Sequence, residues 1–391
     1  MNIKLSDRVQ RIRPSPTLAI TAHANALKAQ GKNIIGLGAG EPDFDTPEHI
    51  KEAAITSLHE GFTKYTAVDG TVGLKQAIIN KFKRDNNLDY THDQVLVSCG
   101  GKQSFFNLAQ ALLNSGDEVI IPAPYWVSYP DMVLLADGNP VIIDTSIEHN
   151  FKINAEQLEA AITPRTRMLV INSPSNPTGM AYTRAELKSL ADVLLRHPHV
   201  LVATDDMYEH IIWTDEPFSN ILNACPELYD RTIVLNGVSK AYSMTGWRIG
   251  YAAGPVALIN AMKNIQSQST SNPTSISQVA AQAALDGDQS CVQTMLEAFK
   301  KRHDAVVAGL NKIDGISCLP SQGTFYTFMD VRGLIERLPV ANDVELTDYL
   351  LEHAEVALVP GSAFGSPGNM RLSFATSMEN LNEALDRISK I

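Results

Sequence analysis

The sequence of 391 residues has too few cysteines for a disulfide framework, and their spacing does not suit a zinc site. Cys99, Cys225, Cys291 and Cys318 stand far apart, and no Cys-x-x-Cys pair occurs. No stretch approaches the roughly 18 apolar residues that a transmembrane helix needs. The opening residues, MNIKLSDRVQRIRPSP, contain no apolar run of the kind found in signal peptides. These absences predict a soluble, cytoplasmic globular protein.

Positive charge is also scarce, with 32 Lys and Arg residues against 43 Asp and Glu residues and a net charge of −11. Proteins that bind nucleic acid usually present a net basic face, so we expect no nucleic-acid partner. The balance does not exclude a small local pocket for an anion. The histidines, among them His197 and His199, show no metal-ligand spacing on a helix face, and we predict no metal site.

Two familiar enzyme motifs are missing. The stretch GLGAG at residues 36–40 lacks the spacing of a GxGxxG dinucleotide loop, and Glu41 and Pro42 follow where that motif needs the start of a helix. No GxSxG sequence, the nucleophile turn of α/β-hydrolases, occurs either. We therefore interpret the glycine-rich stretch as a turn.

The sequence does contain an alternation of short β-branched runs with longer helical patterns. The runs lie at residues 94–101, 117–122, 167–174, 199–206, 231–237 and 248–254. Thr183 and Glu186 have capping-box spacing at the start of one helix, and Thr46 followed by Pro47 predicts a capped start for another. Buried strands that alternate with helices predict an α/β fold with a mostly parallel sheet covered on both faces.

The pattern changes after about residue 275. Long helical segments there precede two strand-like runs, TFYTFMDV and MRLSFAT, and a last helical pattern ends the chain. This order predicts a second, smaller α+β domain. The N-terminal segment has no sheet pattern of its own, and the residues alone do not decide where it packs.

Polar residues stand where several of the predicted strands end. They are Gly100, Gly101 and Lys102, then Asn176, then Asp205 and Tyr208, and finally Lys240 and Arg248. Each alone has an ordinary explanation, such as a turn, a helix cap or a solvated charge. Open α/β sheets, however, bind ligands outside the carboxyl ends of their strands. A Gly-Gly turn that begins a helix also favours an anion such as phosphate, so the convergence predicts one binding site.

Motifs along the whole chain resemble those of one enzyme family. In order they are GEPDFDTP, KYTAVDGTVGLKQAI, GGKQSFFNL, PYWVSYP, NSPSNPTG, DDMYEHI, SKAYSMTGWRIGY, PSQGTFY and VPGSAFG followed by MRLSFATS. They resemble the fold-type I, pyridoxal-phosphate-dependent aminotransferases, and within them the class I aspartate aminotransferases of the bacterial type. Asp206, Ser243 and Thr324 depart from the common family residues, but none of them matches a position with an assigned role.

The resemblance implies a division of the chain and a set of cofactor contacts. It places a large cofactor-binding domain at residues 46–285 and a small domain at 286–391, with the N-terminal segment 1–45 packing on the small domain. Lys240 matches the lysine that forms a Schiff base with the cofactor and then moves the substrate proton. Asp205 matches the partner of the pyridine nitrogen, Tyr208 and Asn176 the partners of the phenolic oxygen, and Trp126 the aromatic residue stacked on the ring.

The resemblance also implies how the phosphate is held and that two subunits share each site. Arg248 matches the phosphate-binding arginine, assisted by Ser239 and the N–H groups of residues 100–102. Tyr65 matches a tyrosine that reaches the phosphate from the neighbouring subunit, which implies a homodimer.

Substrate contacts follow from the same resemblance. Arg371 matches the arginine that binds the α-carboxylate, and Gly40 a glycine whose backbone closes over the substrate. Trp126 and Asn176 are expected to contact the substrate as well as the cofactor. An acidic side chain needs a further cation, and Lys102 and Arg13 are the candidates. Lys102 could instead serve only the phosphate, and Arg13 could be a solvated charge. The expected reaction is a ping-pong transfer of the amino group of L-aspartate to 2-oxoglutarate, and prephenate is a further candidate acceptor.

Alternatives of other kinds stay open at this point. An aminotransferase for aromatic amino acids or alanine, or a C–S lyase, would share the fold and the cofactor but not the acidic pocket. A regulatory module that binds pyridoxal phosphate would carry a DNA-binding domain ahead of the similar part. The resemblance here begins within the first ten residues, which disfavours that module.

Overall fold

The computed structural model describes residues 3–12, 14 and 16–391, so Arg13 lies outside the described residues. The helices of this part are α1 (Asp7–Gln10), α2 (Pro16–Ala29), α3 (Glu48–His59), α4 (Val72–Asn86), α5 (Gly101–Leu112), α6 (Ser128–Leu135), α7 (Ala155–Ala161), α8 (Arg184–Arg196), α9 (Ile221–Ala224), α10 (Val256–Ser267), α11 (Ser275–Asp286), α12 (Ser290–Leu310), α13 (Arg332–Arg337), α14 (Asp343–His353) and α15 (Met378–Ser389). Its strands are β1 (Ile35–Gly36), β2 (Val95–Ser98), β3 (Glu118–Pro122), β4 (Asn139–Ile143), β5 (Thr166–Asn172), β6 (Leu201–Asp205), β7 (Thr232–Gly237), β8 (Gly250–Ala253), β9 (Ser317–Cys318), β10 (Tyr326–Asp330), β11 (Val356–Ala357), β12 (Val359–Pro360) and β13 (Asn369–Ser373). None of the helices just given is long and apolar enough to cross a membrane.

In the described part of the chain, a seven-stranded sheet runs in the order β2-β8-β7-β6-β5-β3-β4. Neighbouring strands are parallel except where β8 pairs with β2 and with β7. This arrangement confirms the predicted α/β fold with a mostly parallel sheet. The sequence does not predict β4, because Asn139 and Pro140 at its start are typical of loops, and proline is tolerated in an edge strand.

Helices cover both faces of this sheet, and successive strand side chains point into two different core clusters. Val202 and Val234 belong to a core cluster that also contains residues of α3, α4, α8 and α11. Ala203 and Leu235, one position along each strand, belong to a second cluster with residues of α5, α6 and α10. A strand buried on both faces has a continuous apolar sequence, which is why these strands are well predicted.

A four-stranded sheet, in the order β12-β13-β10-β9, forms the second unit of the described residues. Its strands pair antiparallel, and residues of β9, β10 and β13 share a core cluster with α12, α14 and α15. Strand β1 of the N-terminal segment pairs parallel with β11, next to this unit. The domain boundaries at residues 45/46 and 285/286 stay a prediction.

The two predicted helix caps differ in outcome. Thr183 caps α8 as predicted, since its side chain accepts the N–H of Glu186 and the Glu186 side chain reaches back. The prediction for Thr46 is wrong: α3 has Pro47 at its N-cap position and no side-chain cap. The Thr46 hydroxyl instead donates to the carbonyl of Ser243 at 2.7 Å and accepts the Trp247 indole N–H at 3.0 Å. A tertiary contact has replaced the local one.

Candidate active site

The ends of β2, β5, β6 and β7 meet at one edge of the large sheet, because these strands run in the same direction. Strand β8 runs the opposite way, so its beginning lies at that same edge. Gly250, the first residue of β8, pairs with Ser98 at the end of β2 and with Gly237 at the end of β7. Arg248, two residues before β8, is thereby placed beside the start of α5.

A cavity of about 410 Å³ opens at this edge. Most of the predicted site residues line it: Gly40, Gly101, Lys102, Trp126, Asn176, Asp205, Tyr208, Ser239, Lys240, Arg248 and Arg371. Gly100 is not among its lining residues but touches the site through Arg248. Tyr65 is 91% exposed and lies apart from the cavity lining. Arg13 cannot be placed, since it is outside the described residues.

The amine of Lys240 is held against the N-terminal segment, where it donates to the carbonyl of Gly40. Burial, and then the positive charge of Arg371, lower the pKa of Lys240 from 10.5 to about 8. An amine with that pKa is partly neutral near physiological pH, and only the neutral form can act as a nucleophile or accept a proton.

Asp205, at the end of β6, has a partner that sequence reasoning missed. The Tyr129 hydroxyl donates to Oδ2 of Asp205 at 2.5 Å, and the Met207 N–H donates to Oδ1 at 3.2 Å. Burial raises the pKa of Asp205, and these donors act in the opposite direction. Tyr129 follows Trp126 by three residues, and their ring centroids are 5.2 Å apart. The three-residue spacing from Trp126, close to the start of α6, could have indicated that Tyr129 faces the same site. An aromatic residue at such a position, however, is usually part of the hydrophobic core.

The start of α5 and Arg248 together form a cationic corner of the cavity. Arg248 donates to the carbonyls of Thr245 at 2.8 Å and Cys99 at 3.4 Å, which are neutral acceptors. Gly100 has a φ of 88°, and a Cβ there would collide with the Arg248 guanidinium. The first N–H groups of a helix lack intrahelical acceptors and favour an anion. The geometry of this corner therefore suits a phosphate.

Lys102 adds a further positive charge beside that corner. Its ammonium lies 5.2 Å from the centroid of the Trp126 ring. Burial, followed by repulsion from Arg248, lowers the pKa of Lys102. An anion bound nearby would offset both the cost of burying the Lys102 charge and its repulsion from Arg248.

Arg371, on β13, is only 2% exposed and has neutral hydrogen-bond partners. Its Nη1 donates to Oδ1 of Asn176 at 2.8 Å, and its Nη2 donates to the carbonyl of Gly38 at 2.7 Å. Among the described residues its Nε has no hydrogen-bond partner. The guanidinium lies 4.4 Å from the ring centroid of Tyr326 and 4.9 Å from that of Phe364. A buried, incompletely paired cation is costly unless an anion joins it.

The charges that line the cavity are unlike those of the whole chain. Among the described residues that line it, the cations are Lys102, Lys240, Arg248 and Arg371, whereas the carboxylates are Glu41 and Asp205. The chain as a whole carries a net charge of −11. A local excess of positive charge within an acidic protein indicates a site for an anionic ligand.

Residues 37–46, which we call the strap, connect this cavity to the four-stranded unit and to the segment that follows Lys240. The Leu37 carbonyl accepts the Ser373 N–H from β13 at 2.8 Å. Further along, Arg302 of α12 donates to both carboxylate oxygens of Asp43, at 2.6 and 3.0 Å. On its other side the strap contacts residues 243–247 through Thr46 and through Glu41, whose carboxylate accepts the Thr245 hydroxyl at 2.9 Å. The Gly40 carbonyl that holds Lys240 lies between these anchors.

Tyr326 and Thr21 also line the cavity and were not among the predicted site residues. The hydroxyls of Tyr326 and Tyr208 lie 3.1 Å apart, which joins β10 to the turn after β6. Thr21 comes from α2 in the N-terminal segment. Neither residue follows a strand of the large sheet, so the sequence did not predict either of them as part of the site.

These features are those of a transaminase-type site, and the chain belongs to the aminotransferase class I and II family, whose model matches residues 32–388. The chain is 65% identical to the aspartate/prephenate aminotransferase of Nitrosomonas europaea, with 100% of both chains covered. It is 56% identical to the protein of that name from Cereibacter sphaeroides, over 98% of this chain and 97% of the relative. The motif resemblance to this family is thus confirmed.

Solved structures agree with the sequence relatives. The crystal structure of the aspartate aminotransferase from Rhizobium meliloti superposes with a TM-score of 0.96 at 51% identity, covering 100% of this chain and 98% of that one. The aspartate aminotransferase from Thermus thermophilus with maleate gives a TM-score of 0.94 at 43% identity, with 100% of both chains covered. The fold is therefore that of the known aspartate aminotransferases.

Proposed function

We propose that the chain transfers the amino group of L-aspartate to 2-oxoglutarate in a ping-pong reaction with pyridoxal 5'-phosphate as cofactor. The observation that carries this proposal is the cationic cavity, in which a buried arginine and a lysine with a pKa of about 8 accompany a corner suited to phosphate. The names of the relatives support aspartate as the amino donor.

The cavity residues fit the cofactor group by group. Arg248, Ser239 and the first N–H groups of α5 would hold the phosphate. Asp205, supported by Tyr129, would keep a ring nitrogen protonated. When bound, the cofactor supplies a protonated ring that withdraws electrons from the bond to the α-hydrogen of an amino acid. Trp126 offers a large ring face for stacking.

The remaining cofactor contacts follow from the described geometry. Tyr208 and Asn176 both line the cavity and offer a hydroxyl and an amide to a phenolic oxygen. The Tyr208 hydroxyl is oriented by Tyr326, and the Asn176 amide by its contact with Arg371. Both groups are therefore held in place before a ligand arrives.

The Lys240 amine would act as the base that removes the proton from the substrate Cα. In its protonated form it would then act as the acid that completes the proton transfer. In the described part of the chain its amine forms no ion pair with a carboxylate, and it contacts the Gly40 carbonyl instead. A pKa of about 8 places its proton affinity near the working pH, where general acid–base catalysis is most effective.

Arg371 would bind the substrate α-carboxylate through its guanidinium. Planar, bidentate pairing is the usual mode for arginine with carboxylates. The rings of Tyr326 and Phe364 fix the plane of the guanidinium, and Asn176 fixes its orientation. The backbone at Gly40 would close over the substrate, since it already covers Lys240.

Lys102 is our candidate for the distal carboxylate of aspartate. It lines the cavity, and its ammonium forms no ion pair with a carboxylate in the described part of the chain. The Thermus thermophilus relative was crystallised with maleate, which supports a site for a dicarboxylate. Arg13 stays a second proposal. Prephenate is a further candidate acceptor, because the names of two relatives include it.

A homodimer with shared sites would explain the exposure of Tyr65. This residue is 91% exposed, Val72 is 75% exposed, and the intervening chain leads into α4. Large apolar side chains with such exposure are typical of surfaces that bind a partner. Tyr65 would then reach the phosphate of the neighbouring subunit. A cytoplasmic location stays a prediction.

A half-reaction panel tests the proposed function. The cofactor-loaded protein, in its aldehyde form, is mixed with single amino acids, and the visible spectrum reports conversion to the pyridoxamine form. We expect aspartate and glutamate to convert it at least about 10-fold faster than phenylalanine or alanine, because only they satisfy the cationic pocket. Faster conversion by phenylalanine would favour the aromatic alternative.

Lys102→Ala should separate the two roles left open for Lys102. We expect the KM for aspartate to rise about 10-fold, since a charged hydrogen bond is lost, and the KM for phenylalanine to change by less than about 2-fold. Steady-state kinetics with both donors, at saturating cofactor, provide the measurement. An equal rise in KM for both donors would indicate that Lys102 serves the phosphate and not the distal carboxylate.

A further inference from the structure

A buried charged cluster lies beneath the turn that carries Asp205 and Tyr208. At its centre is Glu209, which is 4% exposed and lines no part of the cavity. Its carboxylate forms an ion pair with the amine of Lys81. It also accepts hydrogen bonds of 2.7 Å from Nδ2 of Asn86 and 2.7 Å from Nδ2 of Asn236.

These contacts connect three separate elements. Lys81 and Asn86 belong to α4, and Asn236 lies on β7, four residues before Lys240. Oδ1 of Asn236 accepts the N–H of Gly237, the last residue of that strand. Glu209 itself follows Tyr208 directly. One carboxylate therefore joins a helix of the large unit to the two chain segments that carry the phenol and the amine of the site.

Other ionisable groups surround Glu209, and the cluster could be mistaken for a metal site. Asp85, Glu209 and His210 place their ligand atoms within 4.8 Å of one another. The Lys81 amine already contacts the Glu209 carboxylate, and it lies 3.9 Å from Asp85. The lysine thus supplies the positive charge that these carboxylates need. Burial by itself raises the pKa of Glu209, but the charges of Lys81 and His210 and the hydrogen bonds from Asn86 and Lys81 outweigh it and lower the pKa to about 2.

Stability alone does not account for such a cluster. A buried ion pair is often no more stable than an apolar substitute of the same volume, because both charges must leave water. Such pairs are best understood where they select one arrangement of the surrounding elements. Here the arrangement they select is that of two active-site segments.

We propose that Glu209, held by Lys81, Asn86 and Asn236, is a positioning residue that keeps Tyr208 and Lys240 in their working arrangement. The proposal rests on the proposed function for the roles of those two residues. Glu209 lies outside the cavity lining, so it acts only through the chain segments that it joins.

The test compares Glu209→Gln, Lys81→Met and the double variant with a matched control, Lys75→Met. Lys75 lies on the same helix, and its amine pairs with Asp69 at 2.6 Å with side-chain exposures of 8% and 16%. That pair has no contact with the turn after β6. The double variant removes both charges of the pair, so it provides a folded protein if Glu209→Gln alone does not fold. Melting temperatures are recorded for every variant.

Two readouts decide the outcome. The first is kcat and KM of the cofactor-loaded enzyme with aspartate. The second is the pH midpoint for acylation of Lys240 by acetic anhydride in the protein without cofactor, followed by peptide mass spectrometry. For the unaltered chain we expect a midpoint near 8, in line with the lowered pKa of Lys240.

In Glu209→Gln and in the double variant we expect kcat to fall at least about 10-fold with KM changed less than about 2-fold. The Lys240 midpoint should rise by about 0.5 pH unit or more, as the amine loses part of its enclosure. Lys75→Met should leave both readouts unchanged, even if its melting temperature falls as far.

The proposal is overturned if the double variant matches Lys75→Met in both readouts at a similar melting temperature. Failure of the proposed function would look different, because the unaltered chain would then show no visible band with pyridoxal phosphate. The acylation midpoints of Lys240 would still decide the positioning role.

Discussion

Replacement of Lys240 by alanine is expected to lower turnover with aspartate by at least about 10⁴-fold, because the proposed acid–base and covalent roles both depend on its amine. The structure shows this amine enclosed by the strap, with a pKa of about 8 and the Gly40 carbonyl as its acceptor. No other lysine among the described residues lines the cavity except Lys102. The Lys102 ammonium lies over the Trp126 ring and is proposed to bind the distal carboxylate, so we do not expect it to replace the lost amine.

The measurement is the steady-state rate with aspartate and 2-oxoglutarate, together with borohydride treatment of the loaded protein. In the unaltered chain the treatment should remove the visible band and leave the cofactor attached to the Lys240 peptide. Lys301→Ala, at an exposed position of α12, is the control and should behave as the unaltered chain. Attachment to a different lysine, or Lys240→Ala turnover within about 10-fold of normal, would contradict the assignment.

Replacement of Asp205 by asparagine is expected to lower kcat by about 10²–10³-fold while the protein keeps its cofactor. Asparagine has the shape of aspartate; its Oδ1 can still accept the Met207 N–H, and its amide can donate to the Tyr129 hydroxyl, so the site should keep its geometry. It cannot carry the negative charge that stabilises a proton on a ring nitrogen. The loss would therefore lie in the chemical step and leave cofactor binding through Arg248 in place.

The neighbouring Asp206 provides a matched control for this prediction. Asp206 is 1% exposed and accepts hydrogen bonds from Thr204 at 2.7 Å and Asn220 at 2.9 Å, but it does not line the cavity. Burial, and then repulsion from Glu209, raise its pKa to about 7. Asp206→Asn should keep kcat within about 10-fold of normal. Near-normal turnover of Asp205→Asn would rule out the electron-withdrawing role.

The large sheet was predictable because its strands are buried on both faces and form unbroken apolar runs in the sequence. The same property located the site, since polar residues that follow such runs must lie at one edge of the sheet. Asp205 and Lys240 could be identified in this way from the order of the residues alone. β4 could not, because its edge position tolerates Asn139 and Pro140, which are typical of loops.

Contacts between distant parts of the chain account for the features that could not be predicted from the sequence. Tyr129 has no pattern that distinguishes a partner of Asp205 from an ordinary core aromatic residue. Glu209 and Lys81 are far apart in the sequence, and each alone resembles a solvated surface charge. Thr46 has the spacing of a helix cap but is used by Ser243 and Trp247 instead. Tertiary packing decided these cases, and a single sequence carries no signal for it.

The strap described above has a mechanical consequence. Its anchors at Ser373 and Arg302 belong to the four-stranded unit, whereas its contacts at Ser243 and Thr245 belong to the segment that follows Lys240. An opening movement between the two units would break one of these two sets of contacts. If the contacts at Ser243 and Thr245 break, the Gly40 carbonyl leaves Lys240 and water gains access to the amine. The reactivity of Lys240 therefore depends on whether the strap covers its amine.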